Sequence, residues 1–192
     1  MSYILADGWI QQARHCVSPN CGLRPAGVEP ELLVIHSISL PPGCYGGDEI
    51  ERLFSNCLDW EAHPYFQTIR GLQVSAHLLL RRCGELVQFV STDHRAWHAG
   101  RSCWRGRDNC NDFSIGIELE GSEDEAYTDA QYRSLPALTA ALMHYYSALT
   151  PERIVGHCDI APGRKTDPGP AFDWQRYRAS LATILATIGE QA

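Results

Sequence analysis

Leu32-Leu33-Val34-Ile35-His36 is the run that decides the fold. It is short, apolar and rich in branched side chains, which suits a strand buried within a sheet. It also delivers His36 at its C-terminal end. Open α/β sheets bind ligands at that edge, so a fold and a candidate site are read from the same residues.

Working outward, Phe113-Ser114-Ile115-Gly116-Ile117-Glu118-Leu119 alternates large apolar residues with small or polar ones, the period-2 signature of a strand. Glu118 then shares a face with Ser114 and Gly116, opposite Ile117, and the two small neighbours leave room beside its carboxylate. Residues 74–81 and 85–90 read as two strands joined at Arg82-Cys83-Gly84, with His77 in the first. Ile154-Val155 is a brief strand entering a loop rich in proline and glycine.

Helical spacing predicts a helix over 128–146, opened by Thr128 as N-cap, with Pro136 as a kink site. A second runs over 172–188, where Trp174, Tyr177, Leu181 and Leu185 would cover the sheet. Residues 48–54 suit a short amphipathic helix, and 7–14 another with Trp9, Ile10 and Ala13 on one face. Pro41-Pro42-Gly43 opens a polar segment reaching Gln73, read as a long loop. The expectation is an α/β fold, a single domain over residues 1–192 with a mixed β-sheet flanked by α-helices.

Composition narrows the function. The net charge of -7 and the absence of Lys/Arg clusters exclude a nucleic-acid surface. No apolar run approaches the ~20 residues that span a bilayer, and the first residues lack a basic region followed by an apolar core, so neither export nor anchoring is expected. The eight cysteines show no Cys-x-x-Cys spacing and are read as reduced thiols of a cytoplasmic protein.

The chemistry gathers in Gly156-His157-Cys158-Asp159-Ile160-Ala161-Pro162-Gly163-Arg164-Lys165-Thr166-Asp167-Pro168-Gly169, which holds a histidine, carboxylates and the only lysine of the chain. A hydrolytic zinc site uses three protein ligands and leaves one position open. His36, His157 and Asp167 are candidates for them. Amide hydrolysis also needs a group that carries a proton to the leaving nitrogen and a cation facing the oxyanion, roles that suit Glu118 and Lys165. Plainer readings stand beside these: a hydrogen-bonded structural histidine for His36, an Asx turn for Asp167, solvated charges for Glu118 and Lys165, and Cys158 as a rival ligand.

The chain resembles the zinc-dependent N-acetylmuramoyl-L-alanine amidases of the type-2 family. The matching stretches are Leu32 to His36, His63-Pro64-Tyr65-Phe66, Val74-Ser75-Ala76-His77, Arg95-Ala96-Trp97-His98-Ala99-Gly100, Cys110 through Gly121, Tyr127 through Tyr132, and Gly156 through Gly169. The resemblance implies one zinc ion on His36, His157 and Asp167, with Glu118 as acid/base and Lys165 facing the oxyanion. It implies a small muropeptide as substrate, cut between the lactyl group of (1,6-anhydro-)N-acetylmuramic acid and L-alanine during murein recycling; from charge and hydropathy the expectation is a protein that engages neither membrane nor nucleic acid, and a monomer is expected.

Departures from the family lie at the binding surface. Ser37 stands where asparagine is familiar, and Gln73 and Asn109 where arginines would meet stem-peptide carboxylates; Arg70, Arg82 and Arg107 are candidates to compensate. Ser37, Trp97, His98 and Asn109 are the expected substrate-binding residues, His77 is a core or ligand-orienting histidine, and 41–73 is a candidate lid. The rival readings are a non-catalytic muropeptide-binding module on the same scaffold, and a structural zinc site closed by Cys158.

Overall fold

The structure is a computed structural model describing residues 3–189. In chain order its elements are Leu5–Ala6 (β1), Trp9–Ile10 (β2), Arg14–His15 (β3), Cys21–Leu23 (β4), Leu32–Ile38 (β5), Glu49–Phe54 (α1), Pro64–Thr68 (α2), Leu78–Leu80 (β6) and Leu86–Gln88 (β7). There follow His94–Ala96 (β8), Cys103–Trp104 (β9), Arg107–Asp108 (β10), Ser114–Glu120 (β11), Asp129–Tyr145 (α3), Ile154–Gly156 (β12), His157–Ile160 (α4) and Trp174–Gly189 (α5).

Six strands form a mixed sheet in the order β12-β5-β11-β6-β7-β3. The first four are parallel, β7 turns antiparallel to β6, and β3 runs parallel to β7. Because side chains alternate across a strand, the sheet has two different faces. Leu33, Ile35, Ile115, Ile117, Leu119, Leu78 and Leu80 pack with Leu135, Leu138, Leu142, Tyr177 and Leu181 of α3 and α5. Leu32 and Val34 pack on the other face with Phe113 and Ile160, while Leu79 joins Ile50, Leu53, Phe54 and Phe66 of α1 and α2. Among the described residues no helix is long and apolar enough to cross a membrane, and all eight cysteines are free thiols.

Helix α3 starts at Thr128 with a capping box completed by Gln131 and runs through Pro136. Gln131 Nε2 also donates to the carbonyls of Leu80 (3.1 Å) and Glu120 (2.9 Å), tying the helix start to the ends of β6 and β11. Helix α5 begins at Trp174, later than its apolar spacing suggests, because Asp173 Oδ1 accepts from Arg176 N at 2.9 Å and caps it.

Three expectations need correction. Residues 7–14 are not a helix: Asp7 (φ 52°) and Gly8 (φ 73°) make a tight turn that pairs Leu5 with Ile10 and Ala6 with Trp9. Asp-Gly is a strong hairpin signal, since both turn residues need positive φ. A Cβ on Gly8 would also stand 2.2 Å from Ser91 Oγ. The predicted hairpin over 74–90 is present with shorter strands. His77 lies one residue before β6, and its amide donates to Gly116 O at 3.1 Å. Finally, 41–73 holds α2, begun by Pro64 and capped by His63 Nδ1, which accepts from Tyr65 N at 3.1 Å.

Candidate active site

Strand register builds the site. Glu118 of β11 is the direct partner of His36 on β5, and Gly156 of β12 is the partner of Ile35. His157, the next residue, therefore emerges level with His36 at the carboxyl edge of the parallel strands. The loop after α4 returns Asp167 to the same place, held by Cys158 N donating to Asp167 O at 3.0 Å and Tyr127 OH donating to Pro168 O at 2.8 Å.

His36 Nδ1 and His157 Nδ1 stand 3.0 Å apart, and each is 3.2 Å from Asp167 Oδ2. All three side chains are buried. Burial drives the His36 imidazole down to about 4, against the pull of Asp167. Burial alone would raise Asp167, but hydrogen bonds from His157 and His36 outweigh it and hold its carboxyl far below the usual range. Behind the ligands, His157 Nε2 meets Ala99 O at 3.1 Å and His36 Nε2 meets His98 Nδ1 at 2.9 Å.

Glu118 is 9% exposed, and its Oε2 has no hydrogen-bond partner. Burial, with Asp167 adding repulsion and Lys165 opposing it, pushes the carboxyl up to about 8. Two imidazole nitrogens and a carboxylate oxygen, gathered within 4.8 Å of one another, form a donor set suited to a zinc ion. A buried carboxyl without a partner next to it is costly unless something charged or polar occupies the space it faces.

These groups open into a cleft of about 540 Å³ lined by Ser37, Trp97, Arg164, Lys165 and, from the 41–73 segment, Pro42, Leu53, Phe54, Tyr65, Ile69 and Leu72. Ser37 and Trp97 thus line the cleft into which these groups open. His98 borders the cleft but commits both ring nitrogens, Nδ1 to His36 and Nε2 to Ser114 Oγ at 3.1 Å. Burial and the neighbouring imidazoles push it well below the ordinary histidine value, and no ring nitrogen is left for a substrate.

Asn109 departs from its expected position. It lines a separate cavity with Arg101, Ser102 and Asp108, which meets the main cleft only at Arg164. Arg70, Arg82 and Arg107 are paired with Glu61, Glu125 and Glu31 and line no part of the main cleft. The cations present there are Lys165 and Arg164, the latter missed although it adjoins the lysine in the sequence. Asn111, whose Oδ1 accepts from His98 N at 3.1 Å and from Ala99 N at 2.8 Å, was also missed, though it lies in a stretch quoted above. His77 is a saturated core histidine: Gly116 N donates to its Nδ1 at 3.0 Å and its Nε2 meets His94 O at 3.0 Å.

What such a constellation does chemically is deliver water to a carbonyl while a carboxyl handles the proton, so the class of protein defined by fold and site is a hydrolase. Over residues 26–170 the chain matches the N-acetylmuramoyl-L-alanine amidases, and it belongs to that family. It is 57% identical over 176 residues to the 1,6-anhydro-N-acetylmuramyl-L-alanine amidase AmpD of Citrobacter freundii, covering 92% of this chain and 94% of that protein. The crystal structure of a selenomethionine AmpD derivative matches with a TM-score of 0.91 at 56% identity, covering 93% of this chain and 99% of that one. AmiD of Escherichia coli, solved with the substrate anhydro-N-acetylmuramic acid-L-Ala-D-γ-Glu-L-Lys, matches with a TM-score of 0.57 at 28% identity, over 93% of this chain and 65% of that one.

Proposed function

We propose that this chain is a zinc-dependent amidase that hydrolyses the amide between the lactyl group of 1,6-anhydro-N-acetylmuramic acid and the L-alanine of the stem peptide, in cytoplasmic murein recycling. The observation that carries the reading is the buried, unpartnered carboxyl of Glu118 beside three convergent donors. Its likeness to AmpD and to AmiD supports the choice of substrate.

His36, His157 and Asp167 would hold one Zn²⁺, which when bound would supply Lewis acidity toward the carbonyl and lower the pKa of a water toward neutral. Glu118 takes a proton from the attacking water as the C–O bond forms and returns it to the nitrogen as the C–N bond breaks. Lys165 places a cation at the cleft for the oxyanion. Trp97 offers an indole face to the sugar or to apolar parts of the substrate, and Ser37 a hydroxyl beside the ligands. Asn109 would meet only a substrate reaching past Arg164. The protein acts as a monomer spanning one domain.

The test is mass-spectrometric product analysis with anhydro-muropeptide, before chelation, after it, and after zinc is returned. Release of free stem peptide that stops with chelation and resumes with zinc is the expected result. Intact substrate beside fully bound zinc would favour a muropeptide-binding module instead.

A further inference from the structure

Lys165 lines the cleft and carries its ammonium on a flexible stem, so the place of that charge depends on how firmly the backbone beneath it is held. The amides of Lys165 and Arg164 both donate to Ala161 O, at 3.0 and 3.1 Å. The neighbours on either side then grip two different segments. Arg164 Nη2 donates to Ala99 O at 2.7 Å and to Arg101 O at 2.8 Å. Thr166 Oγ1 donates to Glu123 Oε1 at 2.8 Å. Lys165 is thus slung between residues 99–101 and the loop that follows β11.

The Glu123 end of this sling is fixed at a second point. Glu123 is half-buried and lines the cleft together with Thr166, and its carbonyl accepts from Ala171 N at 3.1 Å. Gly169 permits so close an approach: its φ is 82°, and a Cβ there would stand 2.4 Å from Glu123 Cβ. Asp167 has anchors of its own in the Cys158 amide and, through Pro168 O, the Tyr127 hydroxyl. The bond from Thr166 to Glu123 therefore bears chiefly on Lys165.

We propose that Glu123 and Thr166 are positioning residues that hold the Lys165 ammonium toward the oxyanion, with the Glu123 carboxylate serving as a hydrogen-bond acceptor rather than through its charge. The effect on turnover rests on the amidase reading above, whereas the hold on the loop is a property of the protein with or without substrate.

The test uses the full chain. Amide hydrogen exchange at residues 164 and 165 reads the hold on the loop, and steady-state kinetics on anhydro-muropeptide read its effect. Thr166→Val, which keeps the shape and removes the hydroxyl, speeds exchange about 2- to 10-fold. It lowers kcat about 10- to 100-fold, the scale of a misplaced group, with KM and zinc content little changed. Glu123→Ala does the same, and Glu123→Gln, whose Oε1 still accepts, retains most of both. In a Lys165→Ala background Thr166→Val lowers kcat no further, since the group it positions is already gone.

Unchanged exchange or unchanged kcat in Thr166→Val overturns the proposal. So does an equal fall in kcat with and without Lys165, which marks a merely structural bond, and so does full activity in Lys165→Ala alone. A fall in Glu123→Gln as deep as that in Glu123→Ala assigns the effect to charge and overturns it too. If Glu123→Ala does not fold, Thr166→Val and Glu123→Gln carry the test. A wild type that leaves anhydro-muropeptide intact, while exchange still responds to Thr166→Val, would support the hold on the loop and remove the amidase reading alone.

Discussion

His36 and Glu118 are direct partners across the parallel pair β5 and β11, so an imidazole aimed at Asp167 and a carboxyl of raised pKa stand side by side on one face of the sheet. Neither can be moved without moving a strand that is buried throughout its central part. The proton carrier and the proposed metal ligand are thus held in register by backbone hydrogen bonds rather than by loop conformation.

Glu118→Gln should trade activity for stability. The carboxyl has a folded-state value of about 8 against 4.5 ordinarily, so between those values the folded state holds a proton that the unfolded state has released. Stability therefore falls as pH rises across that window. The neutral amide escapes this loss. Thermal melts of metal-free protein should show the variant gaining on wild type from pH 5 to pH 8, by an amount on the order of a few kcal/mol at most, while turnover drops by about 10²- to 10⁴-fold.

Acid should act on the metal-free protein through its buried imidazoles. His77 is driven by burial and by Arg24 to about 3, and His36 by burial to about 4. In the unfolded chain each takes its proton near 6.5, so below that pH the unfolded state binds more protons and stability falls as pH falls. His77→Asn should melt lower at pH 7 yet lose less between pH 7 and 4.5. An unchanged slope would show that His77 takes no part.

Gly116→Ala should damage the site without touching a reacting group. Its Cβ would meet three atoms of the His98 ring, the nearest at 2.5 Å, and overpacking of this kind costs ~1–3 kcal/mol. Urea titration should register that loss, and zinc affinity should fall with it as the ring is displaced from His36.

Arg81 joins the 41–73 segment to the sheet, bonding Glu51 on α1 and, at 3.0 Å, Glu120 at the end of β11. The Arg81 and Glu120 side chains are only 7% and 3% exposed. Arg81→Met strands the Glu120 carboxylate, a change expected to cost ~3–5 kcal/mol. Urea titration should give that loss and proteolysis should cut faster within 41–73; a shift below ~1 kcal/mol would mean that Gly46 N and Arg82 N, which also donate to Glu120, satisfy it alone.

Cys158→Ser separates the hydrolase from a closed structural site. The three-donor group comprises His36, His157 and Asp167, and Cys158 contributes its amide, not its sulfur, to holding Asp167. Zinc stoichiometry should be unchanged. Loss of the metal in this variant would revive the four-ligand structural reading.

The parts of the fold legible in sequence were those where one local pattern had no competitor. Leu32 to Ile35 and Phe113 to Leu119 could be read because burial and alternation act residue by residue, and Thr128 as N-cap announces α3. Asp7-Gly8 carried an equally local signal, but the spacing of Trp9, Ile10 and Ala13 masked it. The site was different. His36 and Asp167 are brought together only by the sheet register and the return of a loop, so the residues alone left Cys158 and plainer roles open, and the family resemblance selected the set. His98 and Asn111 were unreadable in principle, since a histidine's role depends on what each nitrogen meets, and those partners come from distant segments.

Gly116 has one more consequence, which concerns descent rather than chemistry. The hydrogen it carries in place of a side chain is the seat of the His98 ring, so the two positions are not free to vary independently. A lineage that enlarges residue 116 must first have given up the ring at 98, and one that keeps the ring is bound to the glycine. Aligned descendants of this chain should therefore show the pair inherited or abandoned together.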